Sequence, residues 1–173
     1  MMNKTIRRGL CSLLCTALLF GTLPAAVFAE EENVIHLTSA DDLLQLAESC
    51  RLDSWSLDKT VYLDADIDLT GTDFDGIPSF GGLWEGQGHT ISGLTLTDEG
   101  SVQGLFRYIQ TEGTVRRTTV TGTVQPGGSR AEVGGIAGQN AGTIEDCRFE
   151  GTATGTTEVG GIAGVNTADG VIS

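Results

Sequence analysis

A chain of 173 residues with 23 acidic against 10 basic side chains carries a net charge of −13. That balance excludes nucleic acid and anionic membrane surfaces as partners, because both would repel it. Its 25 glycines, about twice the usual share, point to a backbone of tight corners and close strand approach.

Residues 1–29 read as a secretory signal: Lys4, Arg7 and Arg8 form a basic head, residues 10–20 an apolar run, and Val27-Phe28-Ala29 a cleavage site before Glu30. The run is too short to span a bilayer comfortably, and Gly21 and Pro24 break it. Cys11 and Cys15 do not follow a lipobox pattern and leave with the peptide. Cleavage removes three basic residues and shifts the charge to −16. A secreted or cell-surface location follows, without membrane insertion after cleavage.

Residues 30–60 are expected to form an N-terminal cap containing a helix over about 39–50. Ser39 followed by Asp42 resembles a capping box with Asp in place of Glu, and Leu43, Leu46, Ala47 and Cys50 recur at helical spacing. The β-region follows over residues 61–173. Val61, Leu63, Ala65, Ile67 and Leu69 alternate as one half-buried strand, whose other face would carry Tyr62, Asp64, Asp66 and Asp68. Those carboxylates invite a calcium reading. From Asp66, the residues Asp68, Thr70 and Gly71 fit a calcium loop, but its twelfth position is Ile77 where a bidentate Glu is needed. A solvated acidic face is the simpler account.

Beyond this strand the chain repeats. Val133-Gly134-Gly135-Ile136-Ala137-Gly138-Gln139-Asn140 returns 26 residues later as Val159-Gly160-Gly161-Ile162-Ala163-Gly164-Val165-Asn166, and Ala141-Gly142-Thr143-Ile144 answers to Asp169-Gly170-Val171-Ile172. Looser copies lie upstream at Gly104-Leu105-Phe106, Gly113-Thr114-Val115 and residues 119–124. The faintest is Gly82-Leu83-Trp84 with Thr90-Ile91, a phasing that aligns Trp84 with Phe106 and Ala137. Gly spacings of 22, 31 and 26 suit strands of constant length joined by unequal turns. Stacked coils follow, with like residues forming ladders along the axis at about 4.8 Å. Gly134-Gly135 and Gly160-Gly161 would make corners that reset the strand phase, and Asn140 and Asn166 an amide stack. The helix would cover the open first coil.

Val-Gly-Gly-Ile-Ala-Gly-x-Asn, followed by Gly-x-Ile and once by Asp146-Cys147, resembles the GLUG repeat of bacterial secreted and surface proteins. The copies occupy about 133–158 and 159–173, the second incomplete. Residues 80–94, from Phe80-Gly81-Gly82-Leu83-Trp84 to Ser92-Gly93-Leu94, are similar to the first coils preceding the catalytic part of streptococcal immunoglobulin A metalloproteases. The resemblance implies an all-β fold, a right-handed parallel β-helix (solenoid) of the pectate-lyase type with a short N-terminal capping α-helix. Its role would be structural or adhesion-like, with an unknown protein or glycan at the cell surface as partner.

A search for chemistry assigns no catalytic, cofactor-binding or metal-ligating residue. His89, in Gly88-His89-Thr90, belongs to a turn in the family it resembles, and His36 lies near the domain start. Glu145-Asp146 are adjacent, so on a strand they would face apart. Tyr62, Trp84 and Phe106 or Tyr108 are the rings from which a glycan platform could begin. Cys50 and Cys147 are expected as two buried thiols rather than a disulfide, and no cysteine metal pattern occurs. Ser173 stops the last coil before its equivalent of Cys147-Arg148-Phe149, so a longer protein is expected.

Overall fold

The computed structural model describes residues 33–128 and 132–173; the predicted signal over 1–29 lies outside them. Among these described residues sixteen strands and one helix follow in the order β1 (Val34–Leu37), α1 (Ala40–Ser49), β2 (Thr60–Leu63), β3 (Ile67–Asp68), β4 (Ile77–Phe80), β5 (Leu83–Glu85), β6 (Thr90–Leu96), β7 (Phe106–Ile109) and β8 (Thr114–Arg116). The chain continues with β9 (Thr119–Val124), β10 (Val133–Gly134), β11 (Ala137–Asn140), β12 (Thr143–Glu145), β13 (Arg148–Ala153), β14 (Val159–Gly160), β15 (Ala163–Asn166) and β16 (Val171–Ile172). Every pairing is parallel and joins a strand to its equivalent one coil on. The sheets run β1-β2-β5-β8-β12-β16, β3-β6-β9-β13, β4-β7-β11-β15 and β10-β14. This is the expected β-solenoid, of about five turns with one short helix.

The interior consists of side-chain ladders. Ile35, Val61, Trp84, Val115, Ile144 and Ile172 are successive register partners in the six-stranded sheet. Ile67, Ile91, Val120 and Phe149 form a second ladder. Ile77, Phe106, Ala137 and Ala163 form a third, and Phe80, Ile109, Asn140 and Asn166 a fourth. Parallel pairing brings like positions together at every rung, so one residue pattern repeated along the chain builds a continuous core. Trp84, Phe80 and Phe106 fill its middle, with the Trp84 and Phe106 rings edge-on at 5.2 Å.

Three sequence expectations change in the fold. First, the stretch from Val61 to Leu69 is two strands in two different sheets, with a corner at Asp64-Ala65-Asp66. Val61, Leu63, Ile67 and Leu69 are still buried, because a corner that preserves the inward phase is invisible to an alternation pattern. Second, the stack opens before Val61: β1 pairs with β2 over four residues, so part of the expected cap is itself a rung. Third, Trp84 aligns with Val61 and Val115, whereas Phe106 aligns with Ile77 and Ala137. The likeness of Gly-Leu-Trp to Gly-Leu-Phe therefore slips by one side of the coil. Gly82 is the counterpart of Gly113 and Gly142, and the 22-residue spacing does not measure a repeat.

Local chemistry explains the remaining elements. Ser39 caps α1 in an extended conformation and accepts from the Asp42 N–H at 3.3 Å, while Asp42 accepts from the Thr38 N–H and hydroxyl, each at 3.0 Å. The shorter Asp thus reaches the residue before the cap, where a Glu would reach the cap itself. Those bonds, led by the Thr38 N–H, hold the Asp42 carboxyl below its ordinary pKa. Leu43, Leu46, Ala47 and Cys50 enter the core cluster, so the helix covers the first coil. At the other end, the expected glycine corner falls one residue later: Gly134 closes β10, and Gly135-Ile136 turns the chain into β11, with Val133, Ile136 and Ala137 all buried. Gln87, Arg117 and Asp146 take left-handed φ values of 54°, 53° and 49° at successive corners of the six-stranded sheet. Gly86 and Gly88 flank the first of these corners, but no glycine adjoins Arg117 or Asp146.

Candidate functional site

The outer face of the six-stranded sheet carries the densest charge network. Tyr62, Glu85, Arg116 and Glu145 are register partners there. Glu85 is buried and accepts from Arg116 Nε at 2.7 Å, from Arg117 Nε at 2.9 Å and from the Gln87 N–H at 2.8 Å. Arg117 above all, then the Gln87 N–H and Arg116, hold its carboxyl below the usual range against the opposing effect of burial. A carboxylate so depressed contributes stability above its unfolded pKa of about 4.3, lost only as pH falls through the lower folded value. All its acceptor directions point into the protein. Glu85 therefore fastens the left-handed corners of two coils, and no acceptor is left to serve a substrate.

Glu132 shows the opposite behaviour. It precedes Val133 as Glu158 precedes the paired Val159, and its Oε2 is buried without a hydrogen-bond partner. Burial first, then the Glu158 charge, raises its pKa. The folded state thus binds a proton more tightly than the unfolded chain, and an ionised Glu132 opposes folding above its folded pKa. Glu132→Gln is expected to raise the urea midpoint at pH 7. The gain should disappear below about pH 4, where the unfolded carboxyl is protonated too. Denaturation curves at pH 7 and pH 3.5 check this, and a loss at pH 7 would contradict it.

The acidic residues expected on one strand face are dispersed by the corner. Asp64 lies with its Oδ2 2.6 Å from His36 Nδ1, and His36 stacks on Tyr62 at 5.5 Å. Asp66 accepts from the Thr90 N–H at 2.8 Å and lies 3.1 Å from His89 Nδ1. Asp68 closes a local turn by accepting from the Thr70 N–H at 2.9 Å. These bonds lower the pKa of Asp66, through Thr90 and then His89, and of Asp68, through Thr70. Each carboxylate fastens its own corner or neighbouring coil. Among the described residues, no three His, Cys, Asp or Glu side chains converge as metal ligands.

The ring platform is not assembled. Trp84 and Phe106 are fully buried, and Trp84 Nε1–H donates to Thr118 Oγ1 at 2.8 Å inside the protein. Tyr62 and Tyr108 lie on different sheets. Only Tyr108 of these rings is counted among the exposed large side chains. Glu145 and Asp146 are both exposed, on either side of a strand end.

Both predicted thiols are free, Cys50 buried and Cys147 half-buried. Burial pushes Cys50 up to about 12 and Cys147 up to about 11. The thiolate is the reactive form. At pH 8 iodoacetamide should therefore leave Cys50 unmodified and label Cys147 slowly, with both labelled promptly in 6 M guanidinium. Site-resolved mass spectrometry reads this directly, and fast native labelling of Cys50 would contradict its burial.

The asparagine stack is present. Asn140 Nδ2 donates to Asn166 Oδ1 at 2.7 Å and to the Gly142 and Val171 carbonyls at 3.3 Å, while its Oδ1 accepts from the Gly142 N–H at 3.2 Å. Asn166 Nδ2 donates in turn to the Gly170 carbonyl at 2.8 Å. One amide thus closes its own turn and ties the next coil to it.

The last coil differs from those beneath it. Val133 and Ile144 are 0% and 1% exposed, but their partners above, Val159 and Ile172, are 40% and 45% exposed.

Comparison with known proteins agrees with this architecture. Residues 129–154 match the family model described as the GLUG motif; they span β10 to β13, the coil containing the Asn140 stack. The chain is also 29% identical over 169 residues to halomucin of Haloquadratum walsbyi, an alignment covering 88% of this chain and 2% of halomucin. The chain thus spans about one-fiftieth of that relative's length. No solved structure matches. One coil of this β-solenoid thus resembles a GLUG motif.

Proposed function

We propose that this chain is a non-catalytic, exported β-solenoid module that acts at the cell surface as a spacer and an interaction platform. The observation that carries it is where the polar side chains go: Glu85, Asp66, Asp68 and Asn140 each fasten one rung or corner to the next. Similarity to halomucin and the acidic composition support a surface role, since a strongly negative module stays solvated and resists non-specific association. A fold alone does not assign an activity, so the reading rests on the placement of these groups. The purified chain should turn over neither polysaccharide nor protein substrates. Turnover that survives an independent purification would overturn the proposal.

A second reading makes the same solenoid a non-catalytic part of a larger secreted protease or glycan-active enzyme. It is motivated by the likeness of residues 80–94 to the coils preceding immunoglobulin A metalloprotease domains and by the small share of halomucin that the chain covers. Immunoblotting of cell-wall and medium fractions with antibody to residues 30–173 separates the two. A native product far heavier than this chain, bearing an enzymatic domain, favours the second. Glycan adhesion through Trp84 and Phe106 is not carried forward, because both rings lie in the core.

A further inference from the structure

One outer column in the middle of the stack contains a gap. Ser79, Tyr108 and Gln139 are register partners on β4, β7 and β11. Stacked coils place like beside like, but the rung below the Tyr108 ring carries a serine, which is too short to cover it. The ring is 42% exposed. Away from β1 and the last coil, the other large apolar side chains so exposed among the described residues are Leu52 and Leu57.

The gap has walls. Gln110 Nε2 donates to Ser79 Oγ at 2.6 Å and to the Asp53 carbonyl at 2.8 Å, which ties the segment following α1 to the sheet. Together with Pro78 and Arg107 these residues and Tyr108 line a recess of about 560 Å³, inside the range of about 300–1,000 Å³ typical of small-ligand sites. Its charge is balanced or slightly negative. Arg107 is neutralised by Asp75, whose carboxylate accepts from Nη2 at 2.5 Å and whose carbonyl accepts from Nε at 3.1 Å. The Asp53 carboxylate is exposed and joins no ion pair among the described residues. Such a recess repels carboxylated and sulfated ligands and suits a neutral one.

We propose that this recess binds a neutral pyranose unit of a glycan, with the C–H face of the sugar on the Tyr108 ring and its hydroxyls on Asp53, Ser79 and the Tyr108 hydroxyl. A sugar hydroxyl both donates and accepts. Ionised Asp53 is purely an acceptor, whereas the Ser79 oxygen already receives Gln110 and keeps its hydrogen to donate. The Tyr108 ring supplies an apolar body with a polar tip, the combination that a sugar ring with one C–H face and a hydroxyl rim requires. The proposal rests on the interaction-platform reading and gives that platform a surface and a partner chemistry.

The test titrates the full chain, labelled with nitrogen-15, with the methyl β-glycosides of glucose, galactose and N-acetylglucosamine, and with lactose beside sialyllactose, following amide shifts. At least one glycoside should give saturable shifts centred on Asp53, Tyr108 and Gln110. Tyr108→Ala should weaken that binding at least tenfold and Tyr108→Phe less than threefold, with the remaining amide signals those of the folded state. Sialyllactose should bind no tighter than lactose. Unchanged binding by folded Tyr108→Ala would overturn the proposal, as would the absence of saturable shifts at these amides up to tens of millimolar of every sugar. A protein partner seated on Leu52 and Leu57 would leave the sugars without effect, and so gives that second result. Because Tyr108→Phe retains the ring, the comparison with wild type stands even if Tyr108→Ala fails to fold. Reducing sugar released from lactose in the same samples separates the two readings: turnover would sink the non-catalytic module, whereas missing shifts without turnover would sink the sugar site alone.

Discussion

Trp84→Ala is expected to lower the unfolding free energy by about 4 kcal/mol, a large fraction of the 5–15 kcal/mol typical of a domain. The indole is fully buried between two coils, edge-on to Phe106 and within 6.3 Å of Phe80. No neighbour can swing in to close the void, because each is fixed in its own ladder. The polar part of the loss is smaller: Thr118 Oγ1 loses the indole N–H but keeps its donation to the Arg116 carbonyl at 3.3 Å. Trp84→Phe should therefore retain most of the stability, at a cost of about 1–2 kcal/mol for lost volume and one hydrogen bond. Urea denaturation with a lowered midpoint and unchanged slope reads both effects. A near-neutral Trp84→Ala would contradict the packed interior and revive a surface role for this ring.

Gly122→Ala should be at least as damaging, at about 4 kcal/mol or more. Two penalties combine at this residue. Its φ of 150° lies where L side chains are strained, a cost of about 1–3 kcal/mol. Its Cβ would also be driven into the Leu94 carbonyl oxygen of the strand below, forcing β6 and β9 apart in the middle of their sheet. The comparison is Gly161→Ala, whose Cβ meets nothing and whose effect should stay within about 0.5 kcal/mol. Thermal melts of the two variants measure the contrast. Equal effects would mean that the close approach at Gly122 is not maintained in solution.

These glycines show what kind of information the repeat carries. Residues 119–124 and 148–153 are in the register that the sequence copies indicate, and so are Gly104-Leu105-Phe106 with Gly135-Ile136-Ala137. Each such pair shares both a glycine and the spacing behind it, so likeness of residues and likeness of place coincide. They separate at Gly82-Leu83-Trp84, where a similar tripeptide lies on another side of the coil. A glycine followed by two large apolar residues satisfies a corner in either sheet, so composition cannot choose between them. Hydrogen-bond register can, because Leu83 and Trp84 must pair with one rung below and one above.

The local sequence determined the solenoid itself, the helix with its Ser39 cap, the Asn140–Asn166 stack and the burial of Cys50. In each case a short pattern repeats, or a side chain bonds within its own turn, and neighbours along the chain fix the outcome. Only the tertiary structure decided that the Val61-to-Leu69 stretch bends at Asp64-Ala65-Asp66, that Trp84 faces the core, and that Glu85 is clamped by Arg116 and Arg117. All three depend on which residues lie one coil away, at separations of 23 to 32 residues that vary with each turn. A corner and a clamp are relations between rungs, and unequal turns leave no constant period from which the sequence alone could place them.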